Sequence, residues 1–280
     1  GIPEQQLQFL LGTVSDRIEE ATDGQSIDQI YHLAAAVGVK LIVDAPIHCI
    51  ETNVHETALI LRYAASVRCP ILIASTSEVY GKSSSGRFRE DDDVVYGSTA
   101  ESRWSYAYSK AVDEHLALGW HHSEGLAVVI TRFFNTIGPR QRGRWGMVLP
   151  RFVAAAMKNE PLRVHGDGLQ ERCFADVRDI VPLLPQLLGH SEAHGKVINV
   201  GFDDPVSILS LASMVVDVLD SSSEIELISI EDDYGRPIED MRKRLPDLSL
   251  LRSLLNFERQ ISLEQTIIDT ATSMQSESAS

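Results

Sequence analysis

The sequence predicts an α/β fold: a doubly wound parallel sheet covered by helices on both faces, with a smaller α/β portion behind it. Three observations predict it. Short apolar runs rich in β-branched residues recur through the first two-thirds of the 280 residues. Helical patterns separate these runs, and strands alternating with helices imply parallel pairing with both faces buried. Polar and hydroxyl-bearing clusters follow the runs directly, at the strand ends where such sheets bind ligands.

Taken in order, L-Q-F-L-L (7–11) reads as the first strand, and I-D-Q-I-Y-H-L-A-A-A (27–36) carries the second. Positions 45–67 form a long helical pattern. C-P-I-L-I-A-S-T-S (69–77) is a buried strand ending in hydroxyls, and L-A-V-V-I-T-R-F-F (126–134) is dense in strand-forming residues. Between them, 105–123 reads as a helix with Ala107, Ala111, His115 and Leu118 on one face. In the last third, helical segments near 147–158, 176–189 and 207–220 surround short strands at 162–165, 196–200 and 225–230. Pro182 and Pro185 make the middle helix short or kinked. The polar T-S-M-Q-S-E-S-A-S at the end is expected to fray. The domains expected are 1–140, then 141–272 with some segments returning to the core, and a tail over 273–280.

Composition narrows the function. A net charge of −15 supplies no basic excess for general nucleic-acid binding. No apolar run reaches the length of a membrane span. The opening G-I-P-E-Q-Q has neither a basic nor an apolar targeting region. Cys49, Cys69 and Cys173 are far apart and at no metal-ligand spacing, so a reducing cytoplasm is the expected setting. His121 and His122 read as favourable charge at a helix C-terminus, and E-D-D-D (90–93) as a solvated loop rim, rather than as metal sites.

The chemistry concentrates around R-W-S-Y-A-Y-S-K (103–110). Tyr106 and Lys110 are four apart and share a helix face, whereas Tyr108 does not face Lys110. A tyrosine is a poor base at neutral pH, and a neighbouring cation favours its phenolate. Alone the pair could equally decorate an amphipathic surface helix. A-S-T-S-E-V-Y-G (74–81) precedes it at one strand end, and R-F-F-N-T-I-G-P-R-Q (132–141) follows at the next. G-D-G-L-Q-E-R-C-F-A-D-V-R-D (166–179) and D-M-R-K-R-L-P-D (240–247) come later. Four Arg or Lys within 236–244 form a local basic cluster suited to an anionic ligand.

In this chain order the motifs resemble the extended short-chain dehydrogenase/reductase superfamily, in its nucleotide-sugar epimerase, dehydratase and decarboxylase branch, from Leu7 to Ile268. The resemblance implies a Rossmann-like NAD-binding domain, a smaller substrate domain, NAD as cofactor, and a nucleotide sugar, a UDP-sugar, as substrate. It also implies a homodimer pairing the 45–67 and 105–123 helices. Tyr106 looks like the base that takes a hydroxyl proton as hydride leaves C4 of the sugar, Lys110 its partner and ribose ligand, and Thr76 the residue bonding the 4-oxygen. On the cofactor side, Asp16 is similar to the acid at the adenine, Leu33, Ala34 and Ala35 to the strand end passing the phosphates, and Asn53 to a supporting helix residue. On the substrate side, Ser77, Asn135, Arg172 and Arg244 resemble the nucleotide-sugar ligands, with Arg242 as a further candidate.

The family pattern opens with a strand and a G-x-x-G-x-x-G turn, whose glycines let the backbone approach a pyrophosphate. The sequence holds no such motif, and its first strand resembles the family's third, so the sheet is expected as an N-terminally truncated one. One expectation is therefore an NAD-dependent enzyme working through a 4-keto sugar; the other is a nucleotide-sugar-binding or scaffold protein without NAD. Dehydratases of the family resemble S-T-D-E-V-Y-G, and Ser77 replaces the Asp, which disfavours dehydration. Decarboxylases resemble T-S-E-V-Y-G, with Glu78 and Arg244 near the reacting carboxylate, and UDP-sugar 4-epimerases resemble S-T-S-E-V-Y-G; residue chemistry leaves both open. An ordinary alcohol dehydrogenase has no need of the Arg172 and Arg244 clamp.

Overall fold

A computed structural model describes residues 7–24, 26–143, 146–235, 239 and 241–278. Arg236 and Asp240 of the basic segment, the opening G-I-P-E-Q-Q and the last two tail positions lie outside the described residues.

The first half runs α1 (Val14–Thr22), β1 (Ile30–His32), α2 (Val39–Asp44), α3 (Pro46–Val67), β2 (Ile71–Thr76), α4 (Ser105–Glu124), β3 (Val128–Phe133) and β4 (Thr136–Ile137). There follow α5 (Val148–Ala156), β5 (Leu162–His165), β6 (Glu171–Cys173), β7 (Ala175–Asp176), α6 (Val177–Ile180), α7 (Leu183–Gly189) and β8 (Lys196–Val200). The chain ends with β9 (Pro205–Ser207), α8 (Ile208–Val218), β10 (Ile225–Ile228), α9 (Ile230–Tyr234), β11 (Lys243–Arg244), α10 (Ser249–Leu254) and α11 (Leu263–Ser278).

The central sheet has the order β1-β2-β3-β8 and is parallel throughout. Alternate side chains feed two cores. Ile71, Ile73, Val128 and Ile130 pack against Leu61 and Ala64 of α3 and Ala117 of α4. Leu72, Val129, Ile198 and Val200 pack on the other face against Leu184 and Leu187 of α7 and Leu251 of α10. Both faces are therefore covered, which is why the strands read as continuous apolar runs. A third core joins α5, α8 and α11 over the β5–β10 pair. β8, α7 and α10 belong to the central sheet although they lie after position 140.

Four expectations fail locally. Residues 7–11 form no strand; Leu7, Phe9 and Leu11 are 66%, 80% and 78% exposed, and β1 pairs only with β2 among the described residues. A short apolar run becomes a strand only with an edge to join. The buried face of α4 carries Tyr106, Ser109, Lys110, Asp113 and Ala117, whereas His115 on the expected face is exposed. Positions 225–230 split after Ile228, because Ser229 and Asp232 form a capping box that starts α9. Residues 273–278 continue α11 as helix. The two prolines divide 176–189 into α6 and α7, with Pro185 in the first turn of α7, where a missing N–H costs nothing.

Candidate active site

The site forms where β2 and β3 end. Thr76 closes β2, and its hydroxyl accepts a hydrogen bond from the Glu78 amide at 3.2 Å. This caps the tight turn Ser77–Tyr80 and fixes the direction of Glu78. The Glu78 carboxylate accepts from Arg103 at 2.5 Å and from Arg244 at 3.2 Å. Arg244 also donates to Asn135 Oδ1 at 2.5 Å, and Asn135 donates to the Cys173 carbonyl at 2.9 Å. Burial pushes the Glu78 carboxyl up, but the two guanidiniums outweigh it and hold the group at about 2. Glu78 is thus a carboxylate at neutral pH.

Glu78, Asn135, Arg172 and Arg244 line one cleft, as do Arg103, Arg151 and Arg163. In a chain of net charge −15 this is a concentrated cationic site. Arg172 is buried in its wall and donates to the Glu171 and Arg242 carbonyls. Arg242 itself is surface-exposed and paired with Asp167 at 2.8 Å, away from the cleft. Ser77 is buried and does not line the cleft.

Tyr106 lies one layer deeper, packed with Ala36, Ile42 and Cys49, and Ile42 is itself a cleft residue. Its phenol is raised well above the ordinary tyrosine value, first by burial and then by the charge of Glu78; the Thr76 hydroxyl pulls it the other way. The expected lowering is therefore not what this arrangement produces, because burial and the Glu78 charge dominate at the phenol; the Lys110 ammonium donates to Asp113 Oδ2 at 2.7 Å. Tyr108 packs against Tyr96 in a tilted arrangement with 4.2 Å between centroids and donates to the Gly97 carbonyl, a packing role distinct from Tyr106.

Asn53 of α3 ties three parts together. It accepts from the Ala36 amide at 2.7 Å and donates to the Ala36 carbonyl and to Ser109 of α4. The loop after β1, with Leu33, Ala34 and Ala35, is exposed at Leu33 and Ala34 and is held in place at its far end by this bond pair. Asp16 stands exposed in the first turn of α1, outside the cleft. His121 donates from Nδ1 to the Leu126 carbonyl, Glu90 accepts from the Asn199 amide, and no acidic, His or Cys group suited to a metal occurs among the described residues. Sequence reasoning missed Arg103 and Asp113. The signals were present: Arg103 stands in the quoted motif, and Asp113 follows Lys110 at helical i,i+3 spacing.

A doubly covered parallel sheet, with a Tyr-x-x-x-Lys helix beside a hydroxyl-bearing strand end, defines a protein of the short-chain dehydrogenase/reductase class. The family described as GDP-mannose 4,6 dehydratase matches residues 2–270. The chain is 40% identical over 244 residues to the UDP-N-acetyl-alpha-D-glucosaminuronate decarboxylase of Bacillus cytotoxicus, covering 87% of this chain and 75% of that protein. It is 36% identical to UDP-glucuronic acid decarboxylase 1 of Arabidopsis thaliana over 85% of this chain, spanning only about half (53%) of that relative's length. Among solved structures, the UDP-glucuronic acid 4-epimerase of Bacillus cereus, in complex with UDP-4-deoxy-4-fluoro-glucuronic acid and NAD, matches with a TM-score of 0.79 and 26% identity, over 90% of this chain and 77% of that one. The chain belongs to the extended short-chain dehydrogenase/reductase family of nucleotide-sugar epimerases, dehydratases and decarboxylases. No described helix is long and apolar enough to cross a membrane.

Proposed function

We propose that the chain decarboxylates a UDP-linked uronic acid with the help of NAD, through a 4-keto sugar. The observation that carries this reading is Glu78, an ionised carboxylate gripped by Arg103 and Arg244 on the wall of a cationic cleft next to Tyr106. The relatives named as uronic acid decarboxylases support it.

In this reading Tyr106 takes the proton of the 4-hydroxyl while Thr76 holds the oxygen. NAD, when bound, would supply the hydride acceptor for C4 and the hydride donor that restores it. The ketone lies β to the carboxylate, so the C5–C6 bond breaks with its electron pair flowing to the 4-oxygen, where the Tyr106 phenol supplies a proton; C5 then takes a proton from water as the enol hydroxyl returns its own to Tyr106, and the 4-ketone is restored for reduction. Arg244 orients the carboxylate, and the charge of Glu78 favours its loss as neutral carbon dioxide. Arg172 and Asn135 hold the diphosphate side. Leu33–Ala35 and Asn53 fit a strand end passing the cofactor's phosphates: the side chains are small at Ala34 and Ala35, and Asn53 fixes the loop behind them. No glycine-rich turn stands beside them among the described residues.

The test is to denature the purified chain, assay released NAD, and incubate the native chain with UDP-glucuronate, UDP-N-acetylglucosaminuronate and UDP-glucose. Loss of carbon dioxide from a uronate supports the reading. Inversion at C4 without loss of carbon dioxide favours a 4-epimerase, the activity of the solved relative. Tight binding of the sugar nucleotides with no NAD and no turnover favours a binding protein. The same reading places a homodimer seam on α3 and α4, whose Ile47 and Val112 are exposed, and light scattering on the purified chain tests it.

A further inference from the structure

The seam between α3 and α4 is polar where apolar packing would suffice. The stripe of α3 buried there is Cys49, Asn53, Thr57, Leu61 and Ala64. Opposite it, α4 buries Tyr106, Ser109, Lys110, Asp113 and Ala117. The lower end, Leu61 with Ala117, is an ordinary apolar contact. The upper end is a ladder of polar rungs: Asn53 bonds Ser109 at 3.1 Å, and Lys110 binds Asp113 with side chains 1% and 0% exposed. Such a buried ion pair adds little to stability over apolar residues of the same size. Its presence between the helix that carries Tyr106 and its neighbour therefore calls for another reason.

We propose that Asp113 is a positioning residue for the reaction at Tyr106: its carboxylate keeps Lys110 charged and anchored one helical turn from the phenol, in a seam that water does not reach. The role rests on the reading above, in which Tyr106 is the base.

The groups facing the pair define the balance. On Asp113 burial acts first and raises its carboxyl, Lys110 lowers it, the Thr57 hydroxyl lowers it, and Glu114 raises it. Asp113 Oδ1 has no hydrogen-bond partner, so the carboxylate is held mainly by the ammonium. His32 of β1 is bonded to Thr57 at 3.1 Å; burial and then the charge of Lys110 push it down to about 4, with Glu56 of α3 pulling up. His32 thus reports the charge on Lys110. Around Tyr106 stand Glu78, Cys49 and Asp113, all raising the phenol. Beside the Thr76 hydroxyl, which lowers the phenol, a cation near that ring offsets them, and an ammonium buried without a counter-ion sheds its proton.

The test uses Asp113→Asn, with Asp113→Glu as the conservative variant. In Asp113→Asn, Lys110 becomes neutral, so the acid limb of the kcat profile moves to higher pH by about one unit, a ten-fold loss at neutral pH, while KM changes little. His32, followed by NMR, titrates at higher pH than in the unchanged chain. Asp113→Glu restores both. If Asp113→Asn does not fold, Thr57→Val repeats the test on the kcat profile alone, since its hydroxyl also bonds His32 directly: the lost hydroxyl weakens the carboxylate and the acid limb moves to higher pH by about a few tenths of a unit. An unchanged profile with His32 unmoved overturns the proposal, as does a shift of either readout to lower pH, which would mean that Lys110 stays charged and Asp113 merely screens it. The His32 titration needs no turnover. A chain inactive on every nucleotide sugar would sink the functional reading while leaving the lysine's charge state measurable.

Discussion

Arg103→Met is the most informative single change at the cleft. It removes one of the two guanidiniums on Glu78 and keeps a side chain of similar length. Glu78 stands at about 2 against an ordinary 4.5. At about 1.4 kcal/mol per pKa unit, that gap corresponds to about 3 kcal/mol of stabilisation of the folded carboxylate. The side chain is only 13% exposed, so solvent screening removes little of it. The folded value lies below the unfolded one, so this stability is present above the unfolded value and is lost as pH falls through 4.5 towards 2. With Arg103 gone, Arg244 alone opposes burial. The variant is expected to lose about 3 kcal/mol in urea unfolding at neutral pH. The deficit should narrow as pH is lowered, because the unchanged chain loses its carboxylate stabilisation too. Equal urea midpoints at neutral pH, or a deficit that stays constant with pH, would refute the account of Glu78 as a carboxylate held by charge.

Three further outcomes follow from the same structure. Tyr106→Phe keeps the packing with Ala36, Ile42 and Cys49 and removes only the hydroxyl, so steady-state kinetics should show a 10²–10⁴-fold fall in kcat, roughly the worth of a general base, with an unchanged melting temperature. Glu114→Ala strands Arg132, which donates to Glu114 at 2.7 and 3.0 Å, and denaturant titration should show a loss of about 3–5 kcal/mol. Cys49 is buried and its thiol is pushed up to about 11, so mass spectrometry should find it unmodified by iodoacetamide in the native chain and modified after unfolding.

Legibility in the sequence followed burial. The strands at 162–165 and 196–200 and the helix at 45–67 emerge within a residue of their expected bounds, because each is an apolar block bounded by turn residues. The segment 7–11 misled because an apolar run carries no information about whether an edge is available to pair it. In the helix 105–123, counting small and apolar residues finds Ala107, which is buried, and Leu118, which packs on a core, but it also includes the exposed His115 and passes over the polar residues buried beside them. Its buried face is largely polar: Tyr106, Ser109, Lys110 and Asp113 are inside because they pair with one another and with α3. No hydropathy pattern reveals a seam satisfied by hydrogen bonds. The site was legible for the opposite reason. Glu78, Asn135, Arg172 and Arg244 come from four distant segments, and it was the order of their motifs, rather than any local pattern, that brought them together ahead of the fold.

Two buried ion-pair systems lie close together, and their completeness separates their purposes. Between α4 and the strand ends, Glu114 takes both bonds of Arg132 and one from Ser75, Arg132 also donates to the Glu90 carbonyl, and its guanidinium lies 4.6 Å over the Tyr80 ring, whose hydroxyl binds Asn199. Every member is used, so the network rigidifies the joint between β2, β3 and β8. Around Tyr106 and the cleft the networks stay open at Ser105 Oγ, Asp113 Oδ1 and Arg244 Nε, which are buried without a partner, as are Thr136 Oγ1, Gln141 Oε1 and His190 Nδ1 elsewhere among the described residues. A structural network that left such atoms unpaired would be a poor use of buried charge, since each unpaired group carries its full desolvation cost. A fold tolerates that cost where the same groups must change partners or charge during a reaction. On the proposed function, the contrast makes Glu114→Ala a loss of stability where Asp113→Asn is a shift in pH dependence.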